Sequence, residues 1–121
     1  MGMAVLVVDD SGFMRKRIVK ELQTQGHNIV GEAKSGSEAV DMYRNLKPDL
    51  VTMDITMRDM DGITAAKEIL GEFPDAKIIF LTILRDDKYK EEAQRLGAIG
   101  FLNKADPLSL TQAIEAMEKR K

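Results

Sequence analysis

The chain has 121 residues, 44% hydrophobic and 31% charged, with 18 basic and 20 acidic side chains and a formal net charge of -2. Those figures describe one globular domain able to bury about two-thirds of its unfolded surface, and they exclude a disordered chain and a basic nucleic-acid-binding one. Cysteine is absent, which rules out disulfides, thiolate metal sites and a catalytic thiol.

No apolar run approaches the ~18 residues of a membrane span, and the opening Met1-Gly2-Met3-Ala4 lacks the form of a signal peptide. A cytoplasmic single domain over residues 1–121 is therefore expected.

Short apolar runs alternate along the chain with helix-period segments. Val5-Leu6-Val7-Val8 predicts a buried strand running into Asp9-Asp10. Met14, Ile18 and Leu22 space a helix that stops at Gly26. His27, the only histidine, is expected in an exposed turn, and Ile29-Val30 make a weak second strand. Ser35-Gly36-Ser37-Glu38 has the form of a capping box. Ala39, Val40, Tyr43 and Leu46 then stripe a second helix, ended by Lys47-Pro48-Asp49. Leu50-Val51-Thr52-Met53 runs into Asp54. An irregular loop and a helix spaced by Ile63, Ala66, Leu70 and Phe73 follow. Ile78-Ile79-Phe80-Leu81 runs into Thr82. The next helix, from about residue 86 to 96, has few apolar anchors (Tyr89, Ala93 and Leu96) and stops at Gly97. Ile99-Gly100-Phe101-Leu102 is followed, one residue on, by Lys104. Asp106-Pro107 suits an N-cap and first helical position, and Leu110, Ala113, Ile114 and Met117 mark the last helix.

Strand–helix alternation of this kind predicts an α/β fold: (βα)5, a doubly wound, parallel, five-stranded sheet of the flavodoxin-like type. The first, third and fourth strands are near-continuous apolar runs, as strands buried on both faces are. The second and fifth are shorter and interrupted, which suits edges. Right-handed crossovers then favour the order 2-1-3-4-5, with the reversal beside Asp9, Asp10 and Asp54. Ligands of open α/β sheets bind outside the carboxyl ends of the strands. That order would bring three carboxylates, the Thr82 hydroxyl and the Lys104 ammonium to one edge.

Two adjacent acids at a strand end repel unless a cation lies between them, and a hard divalent ion, Mg²⁺, takes such oxygen ligands. Asp9 or Asp10 could instead cap the following helix, but Ser11 can do so equally well and frees the acids. Asp54 ends a buried strand, where a carboxylate needs a partner. It can act as a nucleophile in phosphoryl transfer. Lys104 supplies a point charge to phosphate, and Thr82 one hydrogen bond.

Val7-Val8-Asp9-Asp10, Asp54-Ile55-Thr56-Met57 with Met60-Asp61-Gly62, Leu81-Thr82 and Phe101-Leu102-Asn103-Lys104 together resemble the receiver domain of two-component response regulators. The likeness extends over essentially the whole chain and is strongest to receivers that stand alone. That family carries the 2-1-3-4-5 order. The resemblance implies that Asp54 accepts a phosphoryl group from a sensor histidine kinase. It also implies that Asp10, Asp54 and the Thr56 backbone carbonyl bind Mg²⁺ directly, with Asp9 acting through water. Lys104 would pair with Asp54 or its phosphate, and Thr82 and Phe101 would move together as the switch. A downstream protein would be met on the face made by the fourth helix, fifth strand and fifth helix, in chemotaxis or a phosphorelay. No enzyme activity beyond weak self-dephosphorylation is expected, and neither a nucleic-acid nor a membrane partner. A monomer is expected, with dimerisation on phosphorylation as the alternative.

The chain departs from the family pattern at four places. Arg58 and Ala105 stand where proline is usual, Ile83 where a very small residue is usual, and Phe101 where tyrosine is frequent. Arg58 removes a φ lock and adds a cation near the acids. Ala105 raises the question of the bond after Lys104, since a cis peptide without proline costs about 2.5–4 kcal/mol. Ile83 is expected to narrow access to Asp54. Arg58, Ile83 and Ala105 favour a non-phosphorylated pseudo-receiver that binds a protein constitutively, whereas the intact Asp10, Asp54, Thr82 and Lys104 favour a working switch. A flavodoxin-like FMN carrier would share the sheet order, but Asp9-Asp10-Ser11-Gly12-Phe13 repels a phosphate. An aspartyl-phosphate phosphatase would want an acid where Thr56 stands.

Overall fold

The computed structural model describes residues 2–83, 87–104 and 107–119. Its elements are β1 (Ala4–Val8), α1 (Gly12–Thr24), β2 (Asn28–Ala33), α2 (Gly36–Leu46), β3 (Leu50–Met53), α3 (Gly62–Glu72), β4 (Ile78–Thr82), α4 (Asp87–Leu96), β5 (Gly100–Asn103) and α5 (Pro107–Lys119). The strands form one parallel sheet in the order β2-β1-β3-β4-β5. The expected architecture, including the reversal between β1 and β3, is the one observed.

Alternation along the strands decides which helix covers which face. Val5 and Val7 of β1, Leu50 of β3 and Ile79 and Leu81 of β4 pack with Ile18 and Leu22 of α1 and with Leu110 and Ile114 of α5. Leu6, Val8, Val51, Met53, Ile78 and Phe80 pack instead with Val40 and Tyr43 of α2, Ile63 and Ile69 of α3 and Ala93 of α4. The central strands are therefore buried on both faces, while β2 and β5 are only partly covered. Continued one residue past β1 and β3, the same alternation directs Asp9 and Asp54 to the α1/α5 face. Lys104, two residues after Leu102, follows them. Phe101 packs on the α4 side, and Thr82 shares its parity.

The first two helix starts behave as their sequences predict, and the third has a cap that the sequence reading did not name. Ser11 caps α1 by accepting the Met14 N–H, Ser35 caps α2 by accepting the Glu38 N–H, and Asp61 caps α3 through Thr64. Each such cap contributes about 1 kcal/mol. The Glu38 carboxylate reaches back to the Lys34 N–H, one residue earlier than in the usual capping box. The α4 helix is held by Ala93, with Tyr89 and Leu96 half-buried, as anticipated. Asp106 and the bond between Lys104 and Ala105 lie outside the described residues.

His27 corrects the sequence reading. It is not an exposed turn residue; it is 6% exposed, and its Nδ1 accepts the Met3 N–H at 3.0 Å. The cause is the turn before it. Gly26 takes φ +87, which glycine adopts without steric cost, and the chain doubles back so that the Asn28 N–H meets the Met3 carbonyl. His27 is thereby laid against the start of the β1–β2 ladder.

Candidate functional site

The site lies at the carboxyl edge of the sheet, on either side of the reversal. Asp9 follows directly on β1 and Asp54 directly on β3, and the Asp54 N–H donates to the Val8 carbonyl at 3.0 Å. One carboxylate oxygen from each of Asp9, Asp10 and Asp54 lies within 4.8 Å of the others. Asp9 and Asp54 are buried and Asp10 is exposed, so the cluster opens to solvent on the Asp10 side.

Lys104 closes the opposite side. The side chain is only 8% exposed, and its ammonium lies 2.7 Å from Asp9 Oδ2 and 3.3 Å from Asp54 Oδ2. Asp9 is held at every polar atom. Its N–H donates to the Ala33 carbonyl, Oδ1 accepts the Ser11 N–H, Oδ2 accepts from Lys104, and its carbonyl accepts from the Arg15 guanidinium. Ser11 thus both caps α1 and steadies Asp9, and neither acid is taken up by capping the helix.

Burial pushes the Asp54 carboxyl up from 3.8 to about 6; Lys104 opposes the rise, and Asp9 and Asp10 add to it. Asp54 therefore remains ionised at neutral pH while being poorly solvated, which suits a nucleophile. Among the described residues the donor set is oxygen only, with one member open to water. That chemistry fits a hard divalent cation, which takes carboxylate and carbonyl oxygens and retains waters.

Thr82 is buried at the end of β4, and the Lys104 N–H donates to its carbonyl at 3.1 Å, which ties the hydroxyl-bearing residue to the lysine through the backbone. Phe101 is half-buried on the same side, across the β4–β5 register. Thr56 is exposed on the loop after β3. Ile83 is 70% exposed, and Phe13 on α1 is 77% exposed. Arg58 is exposed too, and the charges that move Asp54 are Lys104, Asp9 and Asp10.

Sequence reasoning gave no role to three residues that shape the site. Gly62 is the first. A Cβ built there would stand 2.0 Å from the Asp54 carbonyl oxygen, so only glycine allows α3 to begin against the backbone of Asp54. Asp59 is the second. Its carboxylate accepts the Ser37 hydroxyl at 2.7 Å and the Met60 and Gly36 N–H groups at 2.6 and 3.3 Å, tying the loop after β3 to the start of α2. Those hydrogen bonds, the one from Ser37 foremost, hold its carboxyl below the usual range. The tie restrains a loop that lacks proline at Arg58. Arg15 is the third, six residues after Asp9 on α1. The sequence carried a usable signal only for Gly62, which stands within a quoted motif.

Residues 5–115 match the response regulator receiver domain family. The chain is 44% identical over 119 residues to the chemotaxis protein CheY of Thermotoga maritima, covering 98% of each chain. To CheY of Bacillus subtilis it is 41% identical over 119 residues, again covering 98% of each. Among solved structures it is similar to a chain of the CheX–CheY–BeF3–Mg complex from Borrelia burgdorferi. That match has a TM-score of 0.90 and 34% identity, over 94% of this chain and 87% of that one. A LuxR-family response regulator from Aurantimonas superposes with a TM-score of 0.92 at 32% identity, over 97% and 85%. With its sheet order, acid cluster and strand-end lysine in place, the chain belongs to the response regulator receiver domain family.

Proposed function

We propose that the protein is a phosphorylation-activated signalling switch in which Asp54 accepts a phosphoryl group from a phosphohistidine of a sensor histidine kinase, with Mg²⁺ as cofactor. The observation that carries this reading is the Lys104 ammonium, buried and shared between Asp9 and Asp54 beside a third acid. Such an arrangement offers one ionised, poorly solvated oxygen as nucleophile and a cation to receive the charge that arrives with the phosphoryl group.

In the transfer, an Asp54 Oδ attacks phosphorus, the P–O bond forms as the P–N bond to the imidazole breaks, and the electron pair leaves with the histidine nitrogen. Asp10, Asp54 and the Thr56 carbonyl would hold Mg²⁺, with Asp9 acting through water; bound there, the ion neutralises charge on the transferring group. Asp9 and Asp54 keep Lys104 in place before transfer. Lys104 then pairs with a phosphoryl oxygen, and the Thr82 hydroxyl supplies a hydrogen bond to another. Positioning and charge neutralisation do most of the work in this chemistry.

Movement of Thr82 carries Phe101 with it on the α4 side. The face made by α4, β5 and α5 changes population in response, and it is the surface offered to a downstream protein. With Ala93 as its buried anchor, α4 is weakly held, as a switching element must be. The likeness to chemotaxis CheY proteins supports chemotaxis over a phosphorelay. The protein acts as a phosphoacceptor with slow self-dephosphorylation, in the cytoplasm, as a monomer at rest. No described helix is long and apolar enough to cross a membrane.

The test is intact-protein mass after incubation with Mg²⁺ and a small phosphodonor, beside Asp54→Ala. Gain of one phosphoryl group by the wild type alone is expected. No gain from small donors or from a phosphorylated histidine kinase would overturn the reading in favour of a constitutive binding module.

A further inference from the structure

Arg15 joins three elements at the edge of the acid cluster. It projects from α1, its Nη1 donates to the Asp9 carbonyl at 2.7 Å, and its Nε lies 3.5 Å from Glu32 Oε1 on β2. Its side chain is only 20% exposed, and Nε has no hydrogen-bond partner among the described residues. The Asp9 carbonyl lies beyond the end of β1, where no sheet ladder satisfies it.

A peptide unit is planar, so a bond to the Asp9 carbonyl also fixes the plane from which Asp10 hangs. With the Asp9 N–H already bound to the Ala33 carbonyl, the backbone entering Asp10 is held on both sides. Asp10 itself is exposed, and among the described residues no hydrogen bond or ion pair fixes its carboxylate. From this geometry we infer that Arg15, braced by Glu32, is a positioning residue for the cation site, setting Asp10 through the Asp9–Asp10 peptide. The inference rests on the reading of the acid cluster as a Mg²⁺ site.

Charge and position make opposite predictions, which makes the test decisive. Removing a cation beside an acid cluster, by charge alone, tightens binding of a divalent ion. Removing a positioning group weakens it, and groups that orient ligands are typically worth 10–100-fold in metal affinity. Mn²⁺, which accepts the same oxygen donors, is titrated into the full-length protein while the EPR signal of the free ion is followed. Thermal unfolding confirms that each variant is folded.

Arg15→Met is expected to bind Mn²⁺ about tenfold more weakly, and Arg15→Lys to recover most of the loss. Equal or tighter binding by Arg15→Met overturns the inference; should that variant not fold, equal or tighter binding by Arg15→Gln does so instead. Failure of the wild type to bind Mn²⁺ at all sinks the reading of the cluster itself, and the inference with it.

Discussion

Lys104 lies closer to Asp9 than to Asp54, at 2.7 against 3.3 Å. The lysine's main partner is therefore Asp9, not the acid proposed as phosphoacceptor. Asp9 holds the ammonium within reach of Asp54.

That pairing sets the expected cost of losing the lysine. Lys104→Met leaves two buried carboxylates without a cation, and breaking one side of a buried pair costs about 3–5 kcal/mol. Urea unfolding without divalent ions should show a loss of about 3 kcal/mol. Added Mg²⁺ should restore more stability to the variant than to the wild type. An equal Mg²⁺ effect on both proteins would mean that Lys104 and the ion do not compete for the same charge.

The raised Asp54 carboxyl predicts a pH signature. With its value moved from 3.8 to about 6, the folded state binds a proton more readily than the unfolded chain does. The contribution of this group is therefore favourable at low pH and is lost as pH rises through that window. Two pH units correspond to about 3 kcal/mol, which solvent at the open edge of the site reduces to about 1–2 kcal/mol. In metal-free buffer Asp54→Asn should be more stable than wild type by that amount at pH 7. The difference should shrink towards pH 4, where the Asp54 carboxyl is largely protonated in the fold. Urea midpoints across pH 4–8, taken as the difference between the two proteins, cancel the other carboxylates.

Gly62→Ala tests the close approach of α3 to Asp54. The added methyl meets a backbone carbonyl, which cannot rotate away as a side chain would. Overpacking of this kind costs about 1–3 kcal/mol. Because the carbonyl belongs to Asp54, phosphorylation by a small donor should slow as well. An unchanged phosphorylation rate would separate the packing of Gly62 from the placement of Asp54.

Ile83 is exposed, so its truncation should leave stability within about 0.5 kcal/mol. Any kinetic effect of Ile83→Ala then reports on access to the site. The expected outcome is faster loss of the phosphoryl group to water, measured by the decay of phosphoprotein in intact mass spectra. A rate equal to or slower than wild type would show that Ile83 does not shield Asp54.

Much of this protein could be read along the chain because it rests on local periodicity. Continuous apolar runs marked β1, β3 and β4, polar interruption marked the edges, and Ser11 and the Ser35 capping box marked the starts of α1 and α2. Strand-end positions brought Asp9, Asp10, Asp54, Thr82 and Lys104 to one edge, and the resemblance to receiver domains added Thr56 and Phe101, so the residues of the site could be named in advance. Tertiary structure alone decided what those residues touch. The preference of Lys104 for Asp9, the closure of Arg15 on the Asp9 carbonyl, the tie from Asp59 to Ser37 and the burial of His27 all join positions distant in sequence or brought together by a turn. Such contacts depend on how far apart two strand ends lie and on how a helix sits over them. No periodicity encodes those distances; they follow only when the sheet has twisted and both faces have packed.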